Sequence, residues 1–126
     1  MKYMLLAITF TGLLMVYPPM TLADGDATKG KRIYNKCKAC HVVNKKKNRI
    51  GPHLVGLFGR KAGTVKKFRY SKAMKNSGIT WDEKSLDAYL EKPRSFIKRN
   101  RMAFPGLRKK NDRDDLIAYL KEATTP

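Results

Sequence analysis

Both cysteines of this chain lie in one pentamer, Cys37-Lys38-Ala39-Cys40-His41. Two thiols separated by two residues can form a redox dithiol, half of a zinc site, a structural disulfide or a pair of covalent anchors for a haem. Each use demands a different fold. A zinc site would draw on Cys37, Cys40, His41 and His53, yet Cys40 and His41 are adjacent and the histidines stand 12 residues apart, outside the usual short interval. A catalytic dithiol belongs at a strand-to-helix junction, and no segment here alternates convincingly enough to be a strand. A disulfide suits an exported chain but gives His41 no role. C-x-x-C-H is the haem c attachment pattern, in which the thiols add to the two vinyl groups and the next residue projects an imidazole beneath the iron. A second axial ligand is then needed, and Met74, Met102, His53 and the lysines are all available. Met102 lies in R-N-R-M-A-F-P-G, a basic loop rather than an apolar helix stripe, where a core-filling role is weaker. Met/His ligation favours ferrous iron and raises its potential, which suits electron transfer.

The chain begins with Lys2, an uncharged apolar run, Pro18, Pro19 and the small residue Ala23 before Asp24. That order describes a secretory signal peptide over residues 1–23, with cleavage after Ala23 and a periplasmic destination. The competing reading is a membrane anchor, since residues 4–23 just reach the roughly 20 apolar residues a spanning helix needs. The two prolines interrupt it. What remains, residues 24–126, is enough for one domain, and its modest core would gain from a bulky apolar cofactor.

The formal charge is +18, and removing the leader takes away only Lys2, leaving +17. So strong an imbalance attracts anionic partners without naming them: acidic protein faces, an anionic membrane surface or nucleic acid. No nucleic-acid motif is present, and export argues against DNA. Seven of the ten acids gather in three clusters: Asp24 and Asp26; Asp82 and Glu83; Asp112, Asp114 and Asp115. Each precedes or opens an apolar-periodic segment, as carboxylates at helix starts do. A first helix is expected over 26–36. T-W-D-E at 80–83 has capping-box form, with Thr80 as cap and Glu83 reaching back, and the helix it opens ends at Lys92-Pro93. Asn111 is expected to cap the last helix, with Leu116, Ile117, Tyr119 and Leu120 as its stripe. Residues 51–63 hold four glycines and a proline, too many for a long helix. The expectation is an all-α domain of three longer helices, one or two short ones and long loops wrapped around one covalent haem.

Seven blocks carry a family resemblance: G-D-A-T-K-G-K-R-I-Y, C-K-A-C-H, G-P-H-L-V-G-L-F-G-R, G-I-T-W, Y-L-E-K-P, M-A-F-P-G and D-L-I-A-Y-L-K. Over residues 25–124 the chain resembles class I cytochrome c, in particular the mitochondrial cytochrome c and bacterial cytochrome c2 group. The resemblance implies an outer-sphere electron carrier rather than an enzyme. Its haem would be bound through Cys37 and Cys40 and ligated by His41 and Met102. It further implies that the Pro52 carbonyl orients His41, that Tyr89 meets the methionine sulfur, and that Arg60, Tyr70 and Trp81 surround the haem propionates. Gly30, Tyr34, Leu116 and Tyr119 would form the contact between the first and last helices.

Departures from the group accompany the match. Met74 replaces an asparagine that joins a buried water, implying a drier pocket and a changed potential. Asn100 replaces a propionate-binding threonine, and Lys98 and Arg99 replace a proline and a glycine in the methionine loop. Positions whose lysines displace the methionine at alkaline pH are Arg94, Ser95 and Arg101 here, which leaves Lys98 as the nearby lysine able to ligate. Arg32, Lys36, Arg94, Arg101, Arg108 and Lys109 fall at haem-edge positions, a basic ring for the acidic faces of a cytochrome bc1-type reductase and a cytochrome c oxidase or other periplasmic acceptor. A monomer is expected. The alternative is a haem enzyme or gas-binding sensor with a labile Met102.

Overall fold

The computed structural model describes residues 25–126; the leader expected over 1–23 lies outside them. Five α-helices follow in order: α1 (Ala27–Ile33), α2 (Lys72–Lys75), α3 (Glu83–Glu91), α4 (Pro93–Phe96) and α5 (Lys110–Ala123). A single 3-10 turn, Tyr34–Lys36, extends α1 to the end expected from the sequence. Among the described residues the only β pairing is an isolated antiparallel bridge between Lys61 and Thr80. The architecture is thus all-α, with α1, α3 and α5 as the longer helices and α2 and α4 as the short ones. No helix among the described residues is long and apolar enough to cross a membrane.

Local chemistry starts each helix, though not always at the expected residue. Asp26 caps α1, its Oδ1 accepting from the Thr28 and Lys29 amides at 2.9 and 3.0 Å. For α3 the capping box lies two residues later than T-W-D-E suggests. Asp82 is the cap and Ser85 its partner, with Ser85 N–H donating to Asp82 Oδ1 at 2.7 Å and Asp82 N–H to Ser85 Oγ at 2.9 Å. Thr80 cannot cap, because its backbone is drawn into the bridge with Lys61 and its carbonyl accepts from Ser85 Oγ. Likewise α5 begins one residue before Asn111: Lys109 is the cap position and supplies no side-chain bond, while Asp112 places its charge in the first turn. Pro93 opens α4, where its missing N–H costs nothing.

The helices meet where side chains are smallest. A β-carbon on Gly30 would lie 1.9 Å from the Asp115 carbonyl oxygen, so only glycine lets α1 press against α5. Beside that contact the Tyr34 and Tyr119 rings pack 5.4 Å apart, and Leu116 is almost wholly buried. Asp26 N–H donates to Asp115 Oδ1 at 2.7 Å, pinning the start of α1 to α5. A buried arginine holds α3 and the 107–108 segment to α5. Arg113 Nε donates to Asp87 Oδ1 at 2.7 Å and its Nη1 to the Leu107 and Arg108 carbonyls, both at 2.9 Å. Helices α1, α3 and α5 therefore form a fixed frame, and the 37–81 and 92–107 segments bring the site residues to it.

Candidate haem site

Cys37 follows the 3-10 turn directly, its N–H bonding to the Tyr34 carbonyl at 2.8 Å. The Cys40 and His41 amides both return to the Cys37 carbonyl at 3.0 Å, coiling the pentamer into a tight turn. Neither thiol is in a disulfide, and both are half-buried. Burial, with a smaller contribution from the neighbouring Cys40, pushes the Cys37 thiol up to about 11. That is opposite to the acidic thiol a dithiol redox catalyst requires. Among the described residues no three His, Cys, Asp or Glu side chains converge as a metal site of their own.

His41 is held from three sides. Its Nδ1 shares a 2.7 Å hydrogen bond with the Pro52 carbonyl, and its own carbonyl accepts from the Tyr34 hydroxyl at 2.6 Å. The 40–42 and 51–54 segments are tied by Gly51 N–H to Cys40 O at 2.9 Å and Leu54 N–H to Val42 O at 2.8 Å. Gly51 lies against the ring, with no room for a β-carbon between them. Burial lowers the His41 pKa below the usual histidine value, the Pro52 bond opposing this and the Arg60 charge adding to it. The imidazole is therefore kept neutral, with its Nδ1–H donated to Pro52 and its Nε2 without a hydrogen-bond partner among the described residues.

Across the core, the Tyr89 hydroxyl donates to the Met102 sulfur at 3.6 Å. Tyr89 is buried between Trp81 and Phe96, with ring centroids 5.1 and 6.3 Å away, and burial raises its pKa well above the usual phenol value. Arg60 is half-buried, its Nη1 donating to Val55 O at 3.0 Å and Nη2 to His53 O at 3.2 Å, with no carboxylate partner among the described residues. The Tyr70 hydroxyl accepts from the Val65 amide at 3.3 Å. Asn100 points into its own loop and bonds Pro93, Ile97 and Met102. Arg32, Lys36, Arg94, Arg101, Arg108 and Lys109 are all exposed.

These residues fit the haem that the motif leads one to expect. The thiols are free and one turn apart, the imidazole is neutral and fixed, and the half-buried Val43, Leu54, Phe58, Met74 and Phe104 pack against the core as apolar walls. Some members of this arrangement carry no sequence signal of their own. Gly51 read only as part of a glycine-rich stretch, and the Tyr34 hydroxyl as part of a helix contact. Arg113 lies one turn before Leu116 and Ile117, on the buried face of α5, but its charge hides that position in a pattern read from apolar residues.

The Cytochrome c family model matches residues 27–124. The chain is 46% identical over 110 residues to cytochrome c of Theileria parva, covering 86% of this chain and 95% of that one. It is 48% identical over 105 residues to cytochrome c of Gibberella zeae, covering 82% and 99%. It is also 48% identical over 100 residues to cytochrome c2 of Afifella marina, covering 76% and 81%. The free thiols of Cys37 and Cys40 thus stand where this family attaches haem c covalently, and the chain belongs to the cytochrome c family, within its class I group.

Proposed function

We propose that this protein is a one-electron carrier of the cell envelope, with His41 and Met102 as the axial ligands of its haem iron. The observation that carries the reading is the pair of hydrogen bonds that aim the two side chains. Pro52 O accepts a hydrogen bond from His41 Nδ1–H at 2.7 Å, which leaves Nε2 as the nitrogen that would ligate the iron and would strengthen it as a donor. Tyr89 holds the Met102 sulfur from the other side of the core. The haem supplies a single iron-centred electron that is gained and lost without bond making. The chain's own residues keep the ligands still between the two oxidation states, so little reorganisation accompanies transfer. Val43, Leu54, Phe58 and Phe104 exclude water from the apolar faces, and the half-buried Arg60 guanidinium offers a counter-charge to a carboxylate.

The donor is a membrane reductase of the cytochrome bc1 type, and the acceptor is an oxidase or another periplasmic protein. The exposed Arg32, Lys36, Arg94, Arg101, Arg108 and Lys109 form the ring that meets their acidic faces. Export through residues 1–23 delivers the chain to the periplasm as a monomer. A visible spectrum taken in both oxidation states, with haem-stained mass, tests the reading. Covalent haem with a methionine–iron band lost in Met102→Ala is expected; rapid binding of an added gas without that band would establish the sensor alternative instead.

A further inference from the structure

The segment from Pro93 to Met102 has few means of holding its shape. It contains only the single turn of α4, and it carries Lys98 and Arg99 before the methionine. Arg99 adopts φ 65°, the left-handed region that suits glycine and strains a residue bearing a β-carbon. A loop with that strain opens unless other contacts over-determine it.

Asn100 supplies those contacts. Its Nδ2 donates to Pro93 O and to Ile97 O, both at 2.8 Å, and its Oδ1 accepts from Met102 N–H at 2.9 Å. The orientation of the amide is forced, since two carbonyls require the NH2 group and one N–H requires the oxygen. The main chain closes the same loop, with Ile97 N–H to Pro93 O at 3.0 Å and Asn100 N–H to Ile97 O at 3.2 Å. One side chain therefore ties the first residue of α4, its last turn and the methionine's own backbone into a single unit. Both amine hydrogens of Asn100 are spent on this clasp, which leaves no donor for an anionic group.

We propose that Asn100 is the positioning residue of the methionine loop: it fixes the Met102 main chain through the chain's own atoms, and so sets how readily the sulfur leaves its place. The inference rests on Met102 as axial ligand for its consequence, while the clasp itself does not.

Two measurements on the haem-loaded protein test it, in Asn100→Ala, Asn100→Asp and Asp82→Ala. The first is the rate at which added imidazole abolishes the methionine–iron band. The second is the hydrogen-exchange rate of the Met102 amide. Loss of three part-buried hydrogen bonds in Asn100→Ala should raise both rates about tenfold or more. Asn100→Asp keeps the acceptor for Met102 N–H but loses both Nδ2 donations, so its amide exchange should stay nearer the native rate than its imidazole rate does. Asp82→Ala removes the α3 cap, and should lower the global denaturation midpoint while leaving both rates within about twofold of native. Native-like rates in Asn100→Ala, or equal acceleration in Asp82→Ala, would overturn the proposal. A native protein without the methionine–iron band would instead overturn the ligand assignment, and the Met102 amide exchange alone would then decide whether the clasp exists.

Discussion

A β-carbon at Gly51 would lie 2.4 Å from Cε1 of His41, and 2.8 and 2.9 Å from its two ring nitrogens. The ring cannot swing aside without giving up its bond to Pro52. Gly51→Ala should therefore cost about 1–3 kcal/mol, the range of an overpacked core, and should perturb the visible spectrum of the haem-loaded protein as well. Denaturant melts and the visible spectrum of the haem-loaded variant check this; native values for both would show that the ring has room.

Tyr89→Phe removes a hydroxyl directed at the Met102 sulfur while leaving the ring packed on Trp81. With Met102 as the proposed axial ligand, a donor on its sulfur would withdraw electron density and disfavour the ferric state. Thioether sulfur is a weak acceptor, so the potential should fall by only about 20–40 mV. Redox titration gives the answer, and a rise in potential would reverse the assigned direction.

Asp87 and Arg113 form an ion pair whose arginine side chain is only 6% exposed and whose aspartate is 28% exposed. Asp87→Ala leaves a covered guanidinium with carbonyl partners alone. A loss of about 2 kcal/mol is expected, smaller than for a fully buried pair because Asp87 is partly solvated. Adding Arg113→Met should then cost less than it does in the native background. Additive losses in the double-mutant cycle would mean that the pair is not coupled.

Acid should loosen the helix starts. The Lys29 amide foremost lowers the pKa of Asp26 below 3.8, and the Ser85 amide foremost does the same for Asp82. Depressed carboxyl values add stability that is complete above the unfolded value and is lost as pH falls through the folded value. The expected outcome is lower stability of Asp82→Ala at neutral pH and a flatter decline below pH 3.8 than in the native chain. Parallel acid profiles for the two proteins would dismiss the cap as the titrating group.

Electron exchange with an acidic partner should slow by roughly tenfold or more as salt rises from low to physiological strength. Charge reversal in Arg94→Glu should weaken that salt dependence, and Lys46→Glu, in the exposed Lys45–Lys47 run outside the proposed ring, should weaken it less. Identical slopes for the two variants would place the docking face elsewhere.

The sequence by itself determined whatever depends on neighbours along the chain. Thioether attachment is a five-residue matter, so Cys37, Cys40 and His41 were legible at once. Apolar periodicity likewise located α3 and α5, because burial of one helical face repeats every three to four residues. Caps were legible only in kind. Whether Thr80 or Asp82 starts α3 depends on which backbone is extended, and the Lys61 bridge, 19 residues upstream, settles that. What the tertiary structure alone decided is the set of contacts between distant segments: Gly51 on the His41 ring, Tyr34 on its carbonyl, Arg113 against Asp87 and the direction of the Asn100 amide. The physical reason is common to all four. A glycine, a hydroxyl, a guanidinium or an amide looks the same in sequence whether it faces water or a partner, and only packing removes the water.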